Sequence, residues 1–290
     1  MRILRTLLIF ALALITFTSC GAKSDMFKVG HGGGYLSAAL YALTAEQTAQ
    51  TANFDVQTFT SSSDVAYALL SGSLDAGFVE VDKIVDFSQL GGFERLMVVG
   101  KVTYPYGAVV ILRKGLNLRL NELAGLKIAV SSPECKLLAV FESDAERLNA
   151  DLSDVKYEYM AFDAMLPALE AGVVDAAIIK GHYSVTALNE GHTVLYQNWE
   201  VAAGDECCPA IIDQTALVLL VQRDKESQVK PLIEALEKTG SLTPNQLRQA
   251  VADNTVIDFE VLQGQPVPEF SVAGNELIEI LGEHRHEQEH

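Results

Sequence analysis

Four short stretches carry side chains able to do chemistry. "HGGGY" sets the His31 imidazole and the Tyr35 phenol on either side of Gly32, Gly33 and Gly34. Glycines at a helix start bare backbone N–H groups that can hold an anion. "SSSD" supplies Ser61, Ser62 and Ser63, and "SSPEC" supplies Ser131, Ser132 and the thiol of Cys135. Ser63 and Ser132 read first as helix N-caps and second as ligand contacts. "KGHY" places Lys180, His182 and Tyr183 together. Glu80, Asp163, Tyr104, Tyr106 and the pair Cys207-Cys208 complete the candidates. An acyl-transfer reading of "HGGG" as an oxyanion loop requires a G-x-S-x-G nucleophile elbow, and none exists. There is no G-x-x-x-x-G-K-[ST] phosphate loop and no Cys-x-x-Cys metal pattern. These residues read as binders rather than catalysts.

The elements that must position them alternate. "FKVGHGG" is a strand, "YLSAALYALTAEQTAQ" a helix, "FDVQTF" a strand, "SSSDVAYALLSGS" a helix and "DAGFVEV" a buried strand. The short helix "DKIVDFSQL" and the strand "RLMVVGKV" follow, and after "TYPYGAVVILR" the pattern restarts. Helix "LNELAG", strand "LKIAVSS", a helix from Pro133 to about Asn149, strand "VKYEYMAF", helix "DAMLPALEAGV", strand "DAAIIK", helix "YSVTALNEG" and strand "HTVLYQ" come next. "TALVLLVQR" and two C-terminal helices close the chain. Strands alternating with helices mean βα units and largely parallel sheets.

One sentence is stated twice. "ALLSGSLDAGFVE" from Ala68 and "ALEAGVVDAAIIK" from Ala168 share Ala-Leu, a Gly and an Asp-Ala at the same spacing, 100 residues apart. Each reads as a helix ending at a glycine (Gly72, Gly172) that takes positive φ without a Cβ penalty, then turning into a buried strand. Two such units predict two similar open α/β lobes.

The N-terminus reads as an export signal: Arg2 and Arg5, an apolar run from Leu7 to Phe17, then Thr18-Ser19-Cys20. A spanning helix needs roughly 20 apolar residues, so this run is too short to be one. Residues 1–19 are expected to be removed and Cys20 to carry lipid, although Phe17 stands where a lipobox prefers Leu; an ordinary secretory signal is the alternative. Loss of both arginines takes the formal net charge from −17 to −19. That acidity, with no basic stripe, argues against nucleic acid as a partner. The His-rich end "GEHRHEQEH" reads as a flexible, solvated tail over 282–290.

"SSSDVAYALLSGSLDAGFV", "LNELAGLKIAVSS", "DAMLPALEAGVVDAAII" and "TALVLLVQRDKESQVKPLIEAL", in that order, resemble the two-lobed periplasmic substrate-binding proteins of ABC transporters. The likeness is to the type II members that handle sulfonates, taurine, nitrate and thiamine precursors. It implies lobe 1 from 27–104 plus 213–281, lobe 2 from 108–206, and a two-strand hinge near 102–108 and 206–215. Ligand would lie in the cleft, and an ABC permease would be the membrane partner. Open α/β sheets bind ligands beyond the carboxyl ends of their strands. That rule independently selects His31, Gly33, Gly34, Tyr35, Ser61, Ser62, Ser63, Glu80, Ser131, Ser132, Cys135, Asp163, Lys180 and His182. Tyr104 and Tyr106 flank the first crossing, Cys207 and Cys208 the second.

Glu80 departs from what a strong-oxyanion binder would present, and no arginine stands at any strand end considered. A zwitterionic, heterocyclic or cationic molecule is expected, with tyrosines available for stacking. No cofactor and no enzymatic activity are expected. Two other readings stand beside this one: an exported metal or cofactor chaperone using His31, Glu80 and the cysteines, and an enzyme of pyrimidine-precursor synthesis on the same fold. For Cys135 the alternatives are a disulfide to Cys207 or Cys208, a soft-metal or thiol-ligand site, or three unconnected thiols.

Overall fold

The computed structural model describes residues 26–45, 53–104, 107–198 and 214–278. The leader, Cys20, Tyr106, Cys207, Cys208 and the tail lie outside the described residues.

The chain builds two mixed α/β sheets. The strands are β1 (Phe27–His31), β2 (Phe54–Thr58), β3 (Ala76–Glu80), β4 (Leu96–Tyr104), β5 (Ala108–Leu112), β6 (Lys127–Val130), β7 (Lys156–Tyr159), β8 (Ala176–Lys180), β9 (Thr193–Gln197), β10 (Gln214–Gln222) and β11 (Glu269–Val272). The helices are α1 (Ala38–Ala45), α2 (Ser62–Leu70), α3 (Val81–Ser88), α4 (Lys136–Arg147), α5 (Phe162–Glu170), α6 (Tyr183–Asn189), α7 (Glu226–Thr239), α8 (Pro244–Asn254) and α9 (Phe259–Leu262). The first sheet runs β11-β4-β10-β3-β1-β2 and the second β7-β6-β8-β5-β9. Within the first, β2, β1 and β3 are parallel, and β10 lies antiparallel between β3 and β4. The second repeats this arrangement, with β7, β6 and β8 parallel and β5 antiparallel between β8 and β9. Each sheet with its helices is a lobe.

Strand periodicity decides which layer each residue enters. On β10, Leu217, Leu219 and Val221 join the core beneath α1, α7 and α8, whereas Val218 and Leu220 join that beneath α2 and α3. On β5, Ala108, Val110 and Leu112 face α4, and Val109 and Ile111 face α5. These strands are apolar on both faces because helices cover both.

The repeated sentence is one structural unit used twice. Gly72 has φ +74 and Gly172 φ +68. The Gly72 N–H donates to the Leu69 carbonyl at 3.0 Å, and the Gly172 N–H to that of Leu169 at 3.0 Å.

Three local expectations need correction. "LNELAG" forms only a 3₁₀ turn over Leu120–Glu122. Ser61, not Ser63, caps α2: its Oγ accepts from the Asp64 N–H at 3.1 Å, and its hydroxyl donates to the Asp64 carboxylate at 2.8 Å. Any of three serines can cap, but only Ser61 has an acid three residues on, the capping-box spacing. Helix α4 starts at Lys136 rather than Pro133, and Cys135 is its N-cap. The Cys135 N–H donates to the Ser132 carbonyl at 3.2 Å, closing a turn with Pro133 second. Proline's fixed φ suits that turn position as well as a helix start, so the sequence signal is shared.

Candidate functional site

The carboxyl ends of β1 and β3 and the start of α2 form the floor of lobe 1. Gly33 and Gly34 take φ +76 and +70, a region that admits glycine cheaply. A Cβ on Gly32 would meet the Ser62 nitrogen at 3.3 Å, so the loop lies close against the α2 N-terminus. Ser62 is turned inward, its Oγ accepting the Glu80 N–H at 2.6 Å. Glu80 itself is half-buried at the strand end.

His31 is fully engaged inside lobe 1. Nδ1 lies 2.9 Å from Ser37 Oγ and accepts the Gly33 N–H at 3.2 Å, and Nε2 lies 3.0 Å from Thr58 Oγ1. The Gly33 donor places the ring proton on Nε2. The ring stacks edge-on to Tyr41 at 5.3 Å. Burial holds its pKa down to about 4. His31 thus fixes the glycine loop and offers no free ring nitrogen.

The lobes meet along a run of rings. Tyr35 and Tyr104 are edge-to-face at 6.0 Å, and Tyr104 meets His182 of lobe 2 edge-on at 6.4 Å. His182 lies 4.5 Å from Tyr183, and Tyr183 stacks on Phe162 at 6.3 Å and 14°. Lys180 Nζ sits 4.9 Å from the Phe162 centroid, a cation–π contact at the end of β8. Lys180 is only 7% exposed. The arrangement sets ring faces beside a buried ammonium at the lobe boundary. Lys180 follows the repeat at the position that Glu80 holds in lobe 1, so the two strand ends carry opposite charge.

A second contact joins the lobes. Asn189, at the end of α6, donates to the Val256 carbonyl at 3.2 Å, and its Oδ1 accepts the Asp258 N–H at 3.0 Å. Val185, also of α6, is buried in the core of lobe 1.

The remaining expected residues spread around these floors. Ser131 and Ser132 are half-buried after β6, Asp163 is exposed in the first turn of α5, and Cys135 packs half-buried against the lobe 2 core. Phe162, read from the sequence as the last residue of the strand "VKYEYMAF" beside Asp163 in the turn, instead opens α5. Arg248 of α8 was not legible at all: its guanidinium lies beside the Tyr35 hydroxyl. His286-Glu287-Gln288-Glu289-His290 has the His-Glu-x-x-His spacing of zinc-binding helices, and it lies outside the described residues.

Among the described residues, Glu170, Glu190 and His192 bring three donor atoms within 4.8 Å. His192 Nδ1 accepts the Lys114 N–H at 3.1 Å, so Nε2 carries the proton and points it at Glu170, 3.4 Å away. A protonated nitrogen cannot ligate, and the cluster is an ordinary polar contact.

No family model and no curated protein matches the chain. Solved structures do. The periplasmic aliphatic sulphonate binding protein of Escherichia coli is 17% identical, with a TM-score of 0.59 over 89% of both chains. The ligand binding component of an ABC-type import system from Staphylococcus aureus, with zinc bound, is 16% identical, with a TM-score of 0.61 over 90% of this chain and 91% of that one. A nutrient binding protein from Burkholderia cenocepacia bound to methionine is 19% identical, with a TM-score of 0.53 over 83% and 99%. Two sheets of matching topology, meeting at the carboxyl ends of their strands, give this chain the fold of the two-lobed substrate-binding proteins of ABC import systems.

Proposed function

We propose that the protein is the solute-binding component of an ABC importer, working outside the cytoplasm and anchored by lipid on Cys20. The observation that carries this reading is the run Tyr35–Tyr104–His182–Tyr183–Phe162, which crosses between the lobes beside Lys180. Lobe 1 comprises 27–104 plus 213–281 and lobe 2 108–206, and the lobes close on ligand about their crossing strands. The fold shared with import-system proteins supports the role. The ligand is a zwitterionic or heterocyclic small molecule. The rings give it stacking area, Lys180 adds a cation–π contact at its strand end, and Glu80 meets positive charge. Ser61, Ser63, Ser131, Ser132, Asp163, Gly33 and Gly34 line the floors around it. Cys135, expected from the sequence in a disulfide, is a free thiol and stands at the edge of the lobe 2 floor.

Metal carriage through His31 is disfavoured by the two hydroxyls and the N–H that occupy its ring nitrogens. Mass spectrometry of compounds released from natively purified full-length chain tests the reading. A single co-purifying small molecule, rebound in calorimetry, is expected. A preparation that releases nothing, and binds none of a panel of amino acids and heterocycles, overturns it. With ligand in hand, Glu80→Gln is expected to weaken binding by about 2 kcal/mol, the scale of a buried charge-assisted bond.

A further inference from the structure

Three polar groups near the lobe boundary are buried with no hydrogen-bond partner among the described residues. Tyr104 is 1% exposed and Tyr35 3%. Neither hydroxyl has a hydrogen-bond partner among the described residues, and neither does Arg248 Nε. The rest of Arg248 is held: one terminal nitrogen donates to Asn245 Oδ1 at 3.0 Å, the other to the Gln265 carbonyl at 2.6 Å. The guanidinium is therefore fixed, with its inner N–H unspent. The three groups are neighbours. The tyrosine rings lie 6.0 Å apart, and the Arg248 guanidinium lies beside the Tyr35 phenol, near enough to offset part of burial's upward push on its pKa. Burial likewise raises the pKa of Tyr104, with Tyr35 adding to the rise and Arg248 opposing it. Both phenols are thus neutral donors at physiological pH. Leaving a buried donor unbonded costs about 1–3 kcal/mol, and three such donors in one place call for an acceptor.

We propose that Tyr35, Tyr104 and Arg248 form the subsite for a monoanionic oxygen group of the ligand, a carboxylate or a sulfonate. One guanidinium charge and two neutral O–H donors match a single negative charge. A dianion would leave one charge buried and uncompensated, at high cost. The inference rests on the solute-binding reading and extends it: the negative end of a zwitterion docks here, on lobe 1, against the hinge strand β4.

The test uses the full chain with sodium acetate and sodium methanesulfonate as probes, and acetamide as the neutral isostere, at matched ionic strength in chloride. At least one anion is expected to raise the thermal midpoint of the wild type where acetamide does not; which one does separates carboxylate from sulfonate. Tyr35→Phe and Tyr104→Phe keep the rings and delete the donors. The double variant is expected to bind that anion at least about tenfold more weakly, the scale for bonds to a charged group. Because the hydroxyls have no hydrogen-bond partner among the described residues, the ligand-free midpoint of each variant should stay level or rise. The proposal is overturned by equal effects of both anions and acetamide on the wild type, by an undiminished anion effect in the double variant, or by a fall in the ligand-free midpoint of the single variants. A co-purifying molecule retained equally by the double variant would sink the subsite and leave the solute-binding reading standing. A wild type that releases and binds no solute sinks that reading whatever acetate does.

Discussion

The helix-to-strand turn of lobe 1 and its counterpart in lobe 2 are wired alike. The Asp75 N–H donates to the Lys28 carbonyl at 3.0 Å, and the Lys28 N–H returns to the Asp75 carboxylate at 2.8 Å. In lobe 2, Asp175 and Lys127 make the same two bonds at 2.8 and 3.2 Å. Each carboxylate also meets a cation on the segment after the hinge strand, Lys225 at 3.5 Å and Arg113 at 3.3 Å. The strands leaving the turns diverge. Gly30 and Gly77, partners across β1 and β3, are matched by Ala129 and Ala177 across β6 and β8. By the same register His31 stands where lobe 2 has Val130, and Glu80 is answered by Lys180. The turn is a folding device and is kept alike; the other end of the strand meets the cleft and differs.

The largest expected asymmetry is in the response to acid. The folded pKa of His31 is depressed to about 4, below the ordinary value, so the fold favours the neutral ring. Its stabilising contribution is complete above about pH 6.5 and drains away as pH falls to about 4, up to about 3 kcal/mol in all. Protonation would also put a hydrogen on Nδ1 against the Gly33 N–H. Lobe 2 has valine there. Hydrogen exchange between pH 7 and 4 should show β1 amides losing protection before those of β6, and His31→Gln should flatten the stability curve. Parallel loss in both lobes would break the comparison.

Packing gives the next effect. A Cβ on Gly77 would lie 2.6 Å from Val65 Cγ1, a stiff side chain on α2. Gly77→Ala should cost about 2 kcal/mol by overpacking, although alanine is native at the equivalent position of lobe 2. Denaturant titration decides it; a cost below about 0.5 kcal/mol would mean that α2 sits no closer to its sheet than α5 does.

The shared turn should behave the same twice. Asp75→Ala and Asp175→Ala each remove one accepted backbone bond and a partly solvated ion pair, about 1–2 kcal/mol. A twofold difference in denaturant unfolding would show the likeness to be geometric only. Smallest is the link between the lobes: Asn189→Ala removes two hydrogen bonds and should cost about 1 kcal/mol or less. In small-angle scattering of the ligand-free chain, it should broaden the distribution of lobe separations. An unchanged distribution would remove Asn189 from the closure.

The βα alternation, the twin turns and the residues at strand ends were legible because each depends on local periodicity or on a glycine with positive φ. Helix starts were less so. Three adjacent serines, or a Ser-Pro pair, satisfy more than one capping or turn pattern, and only the neighbouring backbone chooses.

The sequence by itself determined the class of fold, since an apolar strand run followed by an amphipathic helix can bury itself in few ways. It also determined the opposite charges of Glu80 and Lys180, which stand at one position of a repeat. Tertiary structure alone decided that His31 is a structural post, because Thr58, 27 residues away, supplies one of its partners. It alone brought Arg248 of α8 to Tyr35 and Tyr104, and Asn189 of one lobe to the backbone of the other. Such meetings depend on how distant helices pack, and short-range patterns of hydrogen bonding and hydrophobicity carry no record of them.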